Sequence, residues 1–197
     1  MSTKALRIFM TGVGGQGTLT ATTLMAQTAL AEGLPVTSGE IHGMAQRGGV
    51  VESTLLIGCA SPKIGPGEAD LLLGFEALET LRGLGYLKPG GQVFSNSEFI
   101  WPLAVSMGQA TCPSLEGIKA AVADCTGNAA FFPCTSLGLE CGAIQAGNIA
   151  LLGAAAAAGA FPFGLDAIRR TIQAKMKAKI ADLNLKALEL GANAPQV

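Results

Sequence analysis

The chain is short of charge, of aromatic rings and of histidine. Only 14% of its 197 residues are charged, 13 Lys and Arg against 14 Asp and Glu, for a net charge of −1. Proteins that bind nucleic acid do so largely by neutralising phosphates with clustered cations, and nothing here supplies that excess. Neither nucleic acid nor an anionic membrane is an expected partner. A single histidine, His42, leaves most metal sites and catalytic triads without parts. No Ser/His/Asp order and no paired-carboxylate arrangement occurs. The 5 cysteines contain no C-x-x-C pair, and Cys134 and Cys141 stand two helical turns apart. No disulfide framework, metal site or iron–sulfur cluster is expected on this chain, and the cysteines read as small buried hydrophobes in a reducing compartment. Aromatics make up 5% while glycine reaches 27 residues, so the core is expected to be built from small side chains at close backbone approach.

What the chain has in quantity is apolar surface: 49% hydrophobic residues and a mean hydropathy of +0.44. The length suits one domain, residues 1–197, with a full core. Cys141 to Leu165 carries no charge, but it is mostly Ala and Gly, contains Gln145 and Asn148, and breaks at Pro162. It reads as a buried helix and not as a membrane span. Lys4 and Arg7 flank too few apolar residues for a secretory signal, so a cytoplasmic location is expected. Low surface charge also suggests that another protein covers part of the exterior.

Periodicity places a strand at Leu6–Thr11, a glycine turn at Gly12–Gly17 and a helix at Thr18–Glu32 closed by Gly33 and Pro35. A second strand is expected at Pro35–Ser38, a polar loop at Gly39–Gly49 and a third, antiparallel strand at Val50–Gly58. Asp70–Phe75, Glu76–Tyr86 and Gln92–Ser95 form a second β-α-β unit, with Lys88–Gly91 as a turn. Ser114 caps a helix running through Ala123, and Ala129–Phe132 is a short strand. Leu165, Ile168, Ile172, Met176 and Ile180 share one helical face, with Arg169, Arg170, Lys175 and Lys177 on others. No internal repeat or linker interrupts the chain. The alternation predicts an α/β fold: a three-layer α/β/α sandwich around a mainly parallel, mixed sheet, with a Rossmann-like first βα unit.

Two segments are dense in chemistry. Gly12, Gly14 and Gly17 satisfy G-x-G-x-x-G directly after a strand and at the start of a helix, where residues without Cβ let a phosphate reach the positive helix end. Gln16 and Thr18 would add donors. With Glu40 beyond the second strand as a ribose ligand, this is the local pattern of dinucleotide binding; a tight turn that merely packs is the alternative. The second segment, Glu40 to Gly49, sets His42, Gln46 and Arg47 among glycines. His42 suits either proton transfer or an orienting hydrogen bond. Arg47 suits either a bidentate contact with an anion or an ion pair with Glu40 or Glu52.

Together, G-V-G-G-Q-G at Gly12–Gly17 and S-G-E-I-H-G-M-A-Q-R-G-G at Ser38–Gly49 resemble the gamma subunit or domain of 2-oxoacid:ferredoxin oxidoreductases, and most of all the small subunit of the indolepyruvate type. Supporting segments are G-E-A-D at Gly67–Asp70, F-E-A-L-E at Phe75–Glu79, the K-P-G-G turn, G-N-I-A-L-L-G at Gly147–Gly153 and D-L-N-L-K-A from Asp182.

The resemblance implies a subunit, inactive alone, of an enzyme that converts aryl-2-oxo acids, CoA and oxidised ferredoxin to acyl-CoA, carbon dioxide and reduced ferredoxin. Thiamine diphosphate supplies the carbon chemistry and iron–sulfur clusters carry the electrons. Both are expected in a large partner subunit, with nothing bound tightly by this chain, CoA as co-substrate and ferredoxin reached through the complex. By the same resemblance Gly12, Gly14, Gly15, Gln16, Gly17 and Thr18 form a close-approach loop, while His42, Gln46 and Arg47 face the partner or substrate. A free-standing NAD(P)-binding oxidoreductase and a non-catalytic assembly module are the competing expectations. An isolated chain is expected to self-associate as a homodimer.

Overall fold

A computed structural model describes residues 5–15, 17–42 and 49–197. The strands are β1 (Leu6–Val13), β2 (Val36–His42), β3 (Val50–Ile57), β4 (Ala69–Gly74), β5 (Leu87–Asn96) and β6 (Ala129–Phe132). They form one sheet in the order β2-β3-β1-β4-β5-β6. β1, β4, β5 and β6 run parallel, and β3 is antiparallel to both β1 and β2. The β-branched, half-polar run from Val50 is therefore the antiparallel strand expected of it.

The helices are α1 (Thr18–Ala31), α2 (Ala77–Gly83), α3 (Leu103–Ser106), α4 (Leu115–Cys125), α5 (Cys134–Cys141), α6 (Gly147–Ala157), α7 (Leu165–Lys175) and α8 (Ala178–Ala192). Alternation along the strands divides the core. Ile8, Met10, Leu71, Leu73 and Phe94 face one side with the buried residues of α1, α6, α7 and α8. Phe9, Leu56, Leu72 and Val93 face the other, with α2 and α4. The sandwich is thus three-layered around a mixed sheet, as the alternation of elements predicts.

Of the Ala/Gly-rich stretch only Gly147–Ala157, preceded by a short 3-10 turn and followed by a loop, is helix; this is α6, buried on almost every side. Its small residues serve close helix packing: a Cβ on Gly153 would lie 2.1 Å from the Leu188 carbonyl oxygen, and one on Gly191 would lie 1.8 Å from that of Ala150. Larger side chains would drive α6 and α8 apart. Among the described residues, no helix is long and apolar enough to cross a membrane.

Several expected boundaries move. β2 continues through Glu40, Ile41 and His42, because β3 pairs with it as far as Val51; polar residues are tolerated there since β2 is an edge strand. Lys88–Gly91 is a bulge inside β5, with Ala69 opposite Leu87 and Leu71 opposite Gln92. The periodic run from Leu165 to Ile180 is two helices, broken where Met176 and Lys177 adopt extended backbone. The basic face of α7 is partly tied down within the chain, Arg169 to Asp166 and Glu189, Arg170 to Glu32. The cysteines depart furthest from expectation: only Cys134 is buried, while Cys125 is exposed and Cys59, Cys112 and Cys141 lie between.

Candidate functional site at the strand ends

β1 and β4 are parallel neighbours, yet α1 leaves toward one face of the sheet and α2 toward the other. The crevice between their C-terminal ends is a topological switch point, where open α/β sheets hold ligands. The glycine loop enters it from β1, and Gly74, Phe75 and Glu76 enter from β4. Phe75 N–H donates to the Thr11 carbonyl at 2.8 Å, linking the two strand ends.

Three of the four glycines of the loop have a steric reason to be there. A Cβ on Gly12 would come within 3.0 Å of Thr18 Oγ1 and 3.1 Å of Phe75 Cβ, so Gly12 allows the helix start to close on the sheet. Gly14 N–H donates to the Gly49 carbonyl at 2.8 Å, which binds the glycine turn to the end of the second polar segment. Gly15 and Gly17 have φ of 95° and 88°, the left-handed region that side chains disfavour. Gly17 is also the N-cap of α1 and gives the helix no side-chain cap. Thr18, 3% exposed, places its hydroxyl in this corner with no hydrogen-bond partner among the described residues, a costly arrangement for a buried polar group.

The structure thus brings Gly12, Gly14, Gly15, Gly17 and Thr18 together. His42 closes β2, where its backbone pairs with Val51; Gln16, Gln46 and Arg47 lie outside the described residues. The dinucleotide arrangement is not assembled. β3 lies between β1 and β2, so Glu40 sits two strand spacings, about 9.6 Å, from β1, and the second motif glycine spends its amide on Gly49.

Beside the loop opens a cleft of about 370 Å³, lined by Gly15, Gly17, Gln145, Lys179, Ile180 and Asn184 among others. Its volume falls in the range of small-molecule sites. Lys179 brings positive charge, and the N-terminus of α1, which has no side-chain cap, brings backbone donors to the same region. Asn184 is nearly buried, and its Nδ2 donates to the Ile180 carbonyl at 3.0 Å. This fixes the amide so that Oδ1 is its acceptor. The cleft suits an amphipathic anion.

On the opposite side of the crevice lie residues not expected at a site, two of which, Glu76 and Glu79, fall in the F-E-A-L-E segment. Glu76 caps α2, accepting from Glu79 N–H at 2.8 Å and Ile100 N–H at 3.1 Å. Burial raises its pKa against these hydrogen bonds, which lower it. Glu79, 4% exposed, is bonded through Oε1 to Arg82, while its Oε2 is buried and unpartnered. Its pKa is also raised, first by burial; Arg82 opposes this, and Glu76 and Glu52 add to it. Asn96 joins three segments, donating to the Phe75 carbonyl and Thr135 Oγ1 and accepting from Glu98 N–H and Cys134 N–H. The one visible cue to these residues was Glu-x-x-Glu after a strand, a helix-start pattern.

Cys134, its thiol pushed well up by burial, is a core residue, and no group of three His, Cys, Asp or Glu among the described residues is placed to hold a metal ion. The described cysteines do not fit a cluster.

Residues 7–194 match the family model described as pyruvate ferredoxin/flavodoxin oxidoreductase. The chain belongs to this family. It is 41% identical to the indolepyruvate oxidoreductase subunit IorB of Pyrococcus horikoshii, over 97% of this chain and 96% of that one. It is 37% identical to the subunit of the same name from Archaeoglobus fulgidus, over 95% and 94%. Its fold matches the gamma subunit of a keto/oxoacid ferredoxin oxidoreductase from Geobacter sulfurreducens with a TM-score of 0.69 and 22% identity, covering 98% of this chain and all of that one. In this family member the crevice is formed by the glycine loop on one wall and Glu76 on the other.

Proposed function

We propose that this chain is the small subunit of an indolepyruvate:ferredoxin oxidoreductase, which decarboxylates aryl-2-oxo acids oxidatively to acyl-CoA. The observation that carries this reading is the identity of about two residues in five with a subunit of that name, along nearly the whole of both chains. Residues 1–197 act as one domain in the cytoplasm. Thiamine diphosphate and iron–sulfur clusters reside in a larger chain, which passes electrons to ferredoxin. This subunit walls the reaction site, excludes water from it and positions CoA.

Within that reading, Gly12, Gly14, Gly15, Gln16, Gly17, Thr18 and Gln46 form the close-approach surface for the anionic part of CoA. His42 and Arg47 face the reacting 2-oxo acid. The cleft beside the loop supports the assignment, since Lys179 and the uncapped start of α1 favour a phosphate-bearing ligand whose remaining length meets apolar walls. Away from its partner, the chain pairs with a second copy.

The test is an anaerobic assay of the chain purified together with its larger partner. Ferredoxin reduction that requires both indolepyruvate and CoA is expected. A complex that consumes no aryl-2-oxo acid would overturn the proposal, as would dependence on NAD(P) in place of ferredoxin.

A further inference from the structure

Between β5 and α4 the chain makes a long excursion at the strand ends, residues 97–113. Its one charged residue, Glu98, is occupied within the fold, accepting from the N–H and the hydroxyl of Ser136. Residues 99–113 carry no charge at all, yet their apolar side chains lie on the surface: Leu103 is 75% exposed, Met107 60%, Trp101 52% and Ile100 38%. Four of the exposed large hydrophobic residues thus fall within eight positions.

This strip is held in place. The Trp101 ring stacks on Phe99 with centroids 4.7 Å apart and planes 4° from parallel. Phe99 packs against the core under α2 and α4, and Ile100 N–H is bound by Glu76 Oε1. A fixed aromatic side chain loses little freedom when a partner covers it, and Trp is among the residue types enriched at interface hot spots.

We propose that the strip from Ile100 to Met107 is the surface on which the larger subunit seats, with Trp101 as its anchor. The inference rests on the proposed function, because it takes its partner from that reading. Two observations select this occupant. The four side chains expose on the order of 400 Å² together, about half of the ~800 Å² per partner that a stable dimer buries. A second copy seated on the strip alone falls short. Secondly, the strip adjoins the crevice: Glu76, which binds Ile100, follows Phe75, and Phe75 is hydrogen-bonded to the end of β1. A chain that covers both strip and crevice reaches the needed area and roofs the site. The lack of charge across residues 99–113 calls for a partner surface that is apolar and uncharged, with a pocket for an indole ring, since a charge buried there would have no counter-ion.

Trp101 is the only tryptophan of the chain, so 5-fluorotryptophan incorporated into this subunit reports on one site when the larger chain is left unlabelled. In the active complex its fluorine resonance is expected to lose at least half of the H2O/D2O solvent isotope shift seen for the isolated subunit. Trp101→Asp is expected to weaken association at least tenfold with an unchanged circular dichroism spectrum, and Trp101→Phe to restore most of the affinity. A complex that forms and turns over while the resonance keeps its full solvent shift would overturn the strip assignment and leave the functional reading intact. If no complex and no turnover are obtained, the functional reading fails and takes this proposal with it.

Discussion

Thr18 and Glu79, with Ser53, each carry a buried side-chain oxygen that has no partner among the described residues. The Thr18 hydroxyl is buried beside Gly12 with no partner among the described residues, so it adds a desolvation cost to the fold. Thr18→Val keeps the shape and removes the desolvated oxygen. It should leave the isolated subunit as stable as before or about 1 kcal/mol more stable, as read from a denaturant midpoint, and should raise the KM for CoA in the complex. A clear loss of stability would mean that the hydroxyl serves the fold. For Glu79 the sign follows from its raised pKa. Between 4.5 and its higher folded value the native state binds the extra proton, so folding is favoured at the acid end and loses ground as pH climbs through that interval. Arg82 limits the effect and the Glu52 and Glu76 charges enlarge it. Glu79→Gln removes the titration, and thermal unfolding temperatures of the two proteins should therefore diverge as pH rises above 4.5, with the wild type falling faster. Parallel curves would contradict this account of the carboxyl.

At the scale of elements, α6 and α8 show why this family member can be so rich in Ala and Gly. Their backbones approach where Gly153 and Gly191 lack a Cβ, and the obstructing atoms are main-chain carbonyls, which cannot swing aside. Gly191→Ala should cost about 3 kcal/mol, measured by urea unfolding, whereas Gly127→Ala, whose added carbon meets nothing within 4 Å, should stay within about 0.5 kcal/mol of wild type. Equal effects would mean that the helices shift freely. The same scale decides what the sequence made legible. All six strands and the glycine turn were readable, because a period of two and a run of glycines before a helix are local signals. The hairpin continuing to His42, the bulge at Lys88–Gly91 and the break at Met176 were not, since each depends on pairing or packing with another element and leaves no local pattern. At the site, Gly12, Gly14, Gly15, Gly17 and Thr18 were identified from their pattern. Glu76, Glu79, Asn96 and Lys179 were not, because nothing local tells a surface carboxylate or lysine from one that the fold carries to the strand ends.

For the whole molecule, the question is why a chain with a well-formed crevice has so little in it to drive a reaction. The cleft beside its glycine loop is lined by glycines, a threonine, an asparagine and a lysine: groups that bind and orient. The buried acids Glu76 and Glu79 brace the other wall. An exposed apolar strip, held at Ile100 and Trp101, adjoins the opening. These parts fit a subunit that completes a site when a larger chain closes over it, and the family places such chains in oxidoreductases. The most direct measurement is a titration of the purified larger chain, at fixed concentration, with this subunit while indolepyruvate-dependent ferredoxin reduction is followed. Turnover should be absent from either chain alone, rise in proportion to added subunit and level off at one subunit per larger chain. Turnover by the larger chain that does not change on addition of this one, or turnover by this chain unaided, would contradict the account.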